Sequence, residues 1–132
     1  FYLCTSLTDI TIPYSVISIG NYTFSGCSAL SSINVNSKNT TYDSRNRCNA
    51  VIETATNTLV VGCQNSVIPT DVTAIGNGAF AGALFTTIEI PNSVTVIREG
   101  AFSGCSSLKS VEVPRHTKIA AGFPKHTQII RK

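Results

Sequence analysis

Five cysteines and two histidines are the residues of this 132-residue chain that could hold a metal, carry a redox couple or work as nucleophile and base. Metal ligation calls for paired spacing such as Cys-x₂-Cys with histidines close by, and no such pair occurs. Cys4, Cys27 and Cys105 each stand three residues after a phenylalanine (Phe1, Phe24, Phe102), and Ala83 holds the same place after Phe80. A slot shared by cysteine and alanine is a small apolar packing position. Cys48 and Cys63 fall outside that pattern. If Val51–Glu53 and Leu59–Val61 form a hairpin turning at Ala55-Thr56, the two face each other across its strands. Free, partly buried thiols are expected there in preference to a bridge, which needs Cα atoms within about 7 Å. His116 and His126 fit no zinc-hydrolase spacing, and no Gly-x-Ser-x-Gly elbow is present. Gly76 and Gly78 form a Gly-x-Gly, but Gly76 matches Gly20 as a turn glycine and needs no phosphate to explain it. The acidic residues Asp9, Asp43, Glu53, Asp71, Glu89, Glu99 and Glu112 are dispersed, with no pair at acid–base spacing. The chain therefore reads as non-enzymatic, with no catalytic residue, cofactor or metal site.

What positions these residues is a repeat. Ala79-Phe80-Ala-Gly-Ala83-Leu-Phe85-Thr-Thr-Ile88-Glu-Ile90-Pro91 is written again from Ala101 to Pro114, one residue longer. Two further copies run from Phe24 to Val35 and from Phe1 to Pro13, and a spacing of 22 to 23 residues is the mark of a solenoid. Each unit reads Pro-x-x-Val-x-x-Ile-Gly-x-x-Ala-Phe-x-x-Cys-x-x-Leu-x-x-Ile-x-Ile-Pro. The Ile-x-Ile segments alternate apolar with polar, as half-buried strands do. No apolar stripe at helical spacing appears, and Gly-x-x-Ala-Phe has room for only a short helical or 3₁₀ turn. Stacked at the strand spacing, about five rungs would bury a shared interior. Phe24, Phe80 and Phe102 should then form one aromatic column, and Ile19, Ile75 and Ile97 an aliphatic one.

These letters closely resemble the BspA-type leucine-rich repeat family, over almost the whole chain. The segment from Tyr42 to Cys63 looks like the longer insert repeat of that family. The resemblance implies a right-handed, horseshoe-like leucine-rich-repeat solenoid, rich in short strands, at a bacterial cell surface. It also implies adhesion or protein binding, with host extracellular-matrix proteins or other bacterial surface proteins as partners.

Within one domain, 1–132, we expect an insert repeat at 37–66 and a C-terminal cap at 115–132. Phe1 falls mid-repeat, so a longer array cut at its start is expected. At 42% hydrophobic the chain can build a core, and it contains no uninterrupted apolar run long enough to span a membrane. A net charge of +3, with basic residues gathered in the tail and no aromatics between them, argues against nucleic acid and for a solvated edge. If the aliphatics of the rungs point inward, Asp9, Thr11, Ser32, Asn34, Thr87, Glu89, Ser110 and Glu112 point outward and form the candidate partner-binding face. Tyr42, Arg45, Asn46 and Arg47 are the candidate insert-loop contacts, with an anchoring role for Tyr42 as the alternative. A structural spacer without a ligand and a glycan-binding module are the competing functions.

Overall fold

A computed structural model describes residues 1–132. It is a β-solenoid of about six turns with almost no helix, one turn more than the repeat count led us to expect. The strands, in chain order, are β1 (Asp9–Ile12), β2 (Ser32–Val35), β3 (Tyr42–Asp43), β4 (Ala50–Glu53), β5 (Thr58–Gly62), β6 (Ala74–Ile75), β7 (Val96–Ile97), β8 (Ser110–Val113), β9 (Lys118–Ile119) and β10 (Gln128–Arg131).

Two strand ladders run along the stack. The Ile-x-Ile segments make one, with β1 parallel to β2 (Ile10↔Ile33) and β8 parallel to β10 (Val111↔Ile129). The other is a six-stranded sheet in the order β3-β4-β5-β6-β7-β9. In it Leu59, Ile75, Ile97 and Ile119 stack in parallel register. The second ladder arises from the Val-x-x-Ile segments, where Val72, Ile75, Val94 and Ile97 are all sealed inside. A three-residue spacing that buries both ends belongs to a strand entering a corner, so it lacks simple alternation.

The expected hairpin is present. β4 and β5 pair antiparallel through Val51↔Val61 and Ile52↔Leu59, with a register shift between those pairs, and turn over 54–57. Cys48 and Cys63 are free and fully rather than partly buried, at 2% and 3% exposure. The Gly-x-x-Ala-Phe segments are single hydrogen-bonded turns, such as Ala79 N–H to Gly76 O at 3.2 Å, and carry no helix. The one 3₁₀ turn, Arg45–Arg47, lies in the insert.

The aromatic column divides in two. Phe80 stacks on Phe102 at 5.3 Å and Phe102 on Phe123 at 4.8 Å, whereas Phe24 stacks on Phe1 at 5.3 Å. Backbone register continues across the division, since Gly26 N–H reaches Ala81 O at 3.4 Å. The rings part because β5 ends between them: Gly62 donates to Ala79 O at 2.8 Å, and a Cβ on Gly62 would run into the Phe80 ring. Ile19 is likewise outside the Ile75–Ile97 stack. It is half-buried, and its N–H donates to the Tyr42 hydroxyl at 3.0 Å.

The coils of Phe24, Phe80 and Phe102 flank the ring with left-handed residues two positions before and two after, and Phe1 has one two positions after. Gly78 (φ 65°) and Gly100 (70°) hold the first place, and Gly26, Gly82 and Gly104 the second. Tyr22 (61°) and Leu3 (60°) take these places without being glycine. The Tyr22 ring lies over Gly78 and its hydroxyl reaches Gly100, so a Cβ at either glycine would strike it.

Candidate functional site

The outward positions of the Ile-x-Ile ladder behave as the alternation requires. Asp9, Thr11, Asn34, Thr87, Glu89 and Glu112 are exposed, and Ser32 and Ser110 half-buried, while Ile33, Ile90, Val111 and Val113 are sealed. The structure does not gather all eight onto one surface. Asp9, Thr11, Ser32 and Asn34 lie on the β1–β2 pair. Glu89 bridges to Glu112, which with Ser110 lies on the separate β8–β10 pair, while Thr87 is in the Glu89 rung. The insert stands between the two sets: Ser44 Oγ donates its one proton to Ala50 O at 2.7 Å and lies 3.1 Å from Ile33 O.

Beside the second set the surface is hollow. A groove of about 780 Å³ has Gln64, Ser66, Val67, Ile68 and Thr70 on one wall and Phe85, Thr87, Ile88, Glu89 and Pro91 on the other, with Ser110, Glu112, Ile130 and Lys132 beyond. Two local features of sequence open it. The coil from Phe80 to Pro91 is one residue short, and Phe85 stands where the longer coils place Leu30 and Leu108. Its ring is wedged against Phe80 at 5.5 Å and Phe102 at 6.2 Å. The opposite wall is tied to the insert instead, with Val67 N–H on Cys48 O at 3.0 Å and the Ser66 hydroxyl on Asn49 O. No backbone hydrogen bond joins 64–70 to 85–91.

The outward column through this groove runs Val67, Glu89, Glu112, Ile130. Val67 is 70% exposed, and Ile130 is partnered with Glu112 in register. Neither glutamate is in an ion pair, because both salt bridges of the chain belong to Arg45. Sequence reasoning found Glu89 and Glu112 but passed over Val67 and Ile130, although both occupy the outward letter of their rungs and could have been found by extending the alignment through Pro69.

The insert-loop candidates separate by role. Tyr42 is 5% exposed and takes the anchoring alternative, its hydroxyl accepting from Ile19 N–H. Arg45 is a clasp. It donates from Nε to Asp43 at 2.7 Å, and from one terminal nitrogen to Asn57 at 2.8 Å and Asp71 at 3.0 Å. Burial pushes the Asp43 carboxyl up, but the hydrogen bonds from Arg45 and Thr54 outweigh it and hold the group below the usual aspartate range. Asn46 and Arg47 are exposed. Asn39, not singled out by sequence, fixes this end. Its amide donates to Pro13 O and Val16 O, and its carbonyl accepts from Thr41 and Tyr42 N–H.

The thiols are set for packing. Cys105 donates to Phe80 O at 3.1 Å, and burial pushes its pKa up to about 11, far from a thiolate at neutral pH. No group of three or more His, Cys, Asp or Glu side chains is placed to hold a metal ion, and His116 and His126 are exposed. No helix is long and apolar enough to cross a membrane.

The model of the BspA-type leucine-rich repeat region matches residues 1–54 and 59–129 in six copies, and the chain belongs to that family. It is similar in fold to a leucine-rich repeat protein from Eubacterium ventriosum, at 20% identity and a TM-score of 0.52 over 83% of this chain and 43% of that one. A leucine-rich cell surface protein from Faecalibacterium prausnitzii matches at 25% identity and TM-score 0.45, over 84% and 43%. A leucine-rich repeat protein from Bacteroides ovatus matches at 28% identity and TM-score 0.45, over 90% and 35%. The chain thus spans less than half the length of these solved structures. No curated protein matches it. Leucine-rich repeat proteins are typically non-enzymatic scaffolds, and the family points to a protein-interaction module with protein partners.

Proposed function

We propose that this chain is a non-enzymatic interaction module of a bacterial surface protein, binding a protein partner on the C-terminal half of its Ile-x-Ile face. The observation that carries the reading is the groove beside Glu89 and Glu112, where exposed aliphatic and acidic side chains meet around about 780 Å³. Its lining is mostly polar around an apolar strip of Val67, Ile68, Phe85, Ile88 and Ile130, a mixture closer to a protein–protein contact than to a small-molecule pocket. Adhesion to extracellular-matrix proteins, and the surface location itself, rest on the family resemblance. Residues 37–66 serve as the insert that divides the face, and 115–132 as a cap whose β9 and β10 continue both ladders.

Affinity capture from matrix proteins, with the wild-type chain and the Glu89→Lys/Glu112→Lys double variant as baits, tests the reading. A protein retained by the first and lost from the second is the expected result. Equal retention by both moves binding off this face, and no retained protein leaves the spacer function. A glycan array covers the remaining alternative. Phe85 is the only aromatic in the groove and is half-buried, so it offers little surface for a sugar ring to stack on.

A further inference from the structure

The groove is also a break in a ladder. On the opposite sheet the same coils are joined strand to strand, Thr58 with Ala74 and Ala74 with Val96. On the groove face, Glu89 bridges to Glu112 on one side and meets the hollow on the other. An edge with open N–H and C=O groups is a template for a further strand. The open edge decides how much strand is taken: from Thr87 to Pro91 it offers about five residues at about 3.3 Å of rise each.

Side-chain chemistry selects the occupant. Glu89 and Glu112 are neighbours across a parallel bridge, both exposed and both without a cationic partner. Like charges directly opposite in a sheet are destabilising on their own. Lys132 lines the far end, so two carboxylates face one ammonium and the groove stays acidic. Val67 flanks the pair as an exposed aliphatic able to cover the stem of a long cationic side chain. Ile68 and Phe85 lie deeper, on opposite walls.

We infer that the groove takes an extended segment of a protein partner, about five residues long, pairing by its backbone with the open edge at Ile88–Pro91. A central lysine or arginine of that segment stands beside Glu89 and reaches along the outer face toward Glu112, and its alternate aliphatic side chains turn inward against Ile68 and Phe85. This rests on the protein-binding reading above and narrows it to strand addition by a basic segment.

The test uses the full 132-residue chain and the blocked pentapeptide Thr-Val-Lys-Val-Thr, followed by calorimetry and by amide exchange at Glu89. Saturable binding in the micromolar to low-millimolar range, with slowed exchange of the Glu89 amide, is expected. Replacing the central lysine by glutamate, or the chain by its Glu89→Gln/Glu112→Gln variant, should weaken binding at least about tenfold. Backbone N-methylation at both valines should abolish it. Those two glutamates are exposed, so an unchanged urea midpoint will show that the variant is folded. Binding of the N-methylated peptide as tightly as the parent overturns strand pairing. Equal binding of the lysine and glutamate peptides overturns the charge assignment, and no saturable binding at all overturns the proposal. In each case a protein captured by wild type and lost from the double lysine variant would leave the broader reading standing.

Discussion

The coils before the insert and those after it use the same letters and seal them to different degrees. Val94 and Ile97 are fully buried, whereas Val16 and Ile19, their equivalents in the first coil, are half-exposed. Phe102 lies between two rings, and Phe24 stacks on one. The core follows suit, with a larger cluster running from Cys48 through Val113 and a smaller one around Phe24, Leu30 and Ile33. A repeat letter says which way a side chain points; how much its burial stabilises depends on what lies above and below it. Where the regular neighbour is missing, the insert supplies a substitute made of Asn39 and Tyr42, which closes the first coil with hydrogen bonds as well as the buried Tyr42 ring.

Paired truncations give that difference its largest expected effect. Phe102→Ala should cost about 3–5 kcal/mol in urea unfolding, near the top of the range for a sealed aromatic, and Phe24→Ala clearly less. Equal losses would mean that the two stacks are energetically alike despite their neighbours. Gly62→Ala probes the division itself. Its added methyl meets the Phe80 ring, which is 1% exposed and has nowhere to go, so a loss of about 1–3 kcal/mol is expected. A neutral result would show that the rings can re-form one column.

Arg45→Met should cost about 1–2 kcal/mol at neutral pH by unbinding Asp43, Asn57 and Asp71. The sign with pH follows from Asp43. Its folded-state pKa is depressed, so its stabilisation is full above the ordinary aspartate value near 3.9 and is lost as pH falls through the lower folded value. The gap between wild type and variant in urea midpoint should therefore narrow below about pH 4. The smallest effect is chemical. Iodoacetamide at pH 8 should modify half-buried Cys4 before the four buried thiols, and all five should titrate without reductant once the chain is unfolded.

The rung strands, their inward and outward letters and the insert hairpin were legible because alternation and spacing are local properties. Ile10 over Ile33 and Ile88 over Val111 could be aligned by eye, whereas Ile129 over Val111 could not, because the pattern decays after Pro114. The second ladder was not, because Val72 and Ile75 bury both ends of a corner and mimic no simple period. Nor was the split in the aromatic column, since nothing at Phe24 reveals that Gly62 will come to rest against Phe80. For the candidate site, Glu89 and Glu112 followed from alternation. The groove beside them did not, since it comes from a deletion and a Leu-to-Phe change in one coil, felt only when that coil is laid against the insert. Tyr42 shows the converse: an aromatic in a polar loop reads as a contact until the Ile19 amide is found at its hydroxyl.

Tyr22 carries a consequence for how such a chain can change. Rooted at the edge of one coil, it covers Gly78 in the next regular coil and touches Gly100 in the one after, so three rungs are spoken for by a single side chain. Unequal crossover, which lengthens or shortens tandem arrays by whole units, would slide a foreign residue under that ring wherever it cut between 22 and 100. Recombination is free to add or drop units only where the incoming one brings glycine to the same spot. Tyr22, Gly78 and Gly100 are therefore a matched set, even though the units that carry them look interchangeable on the page.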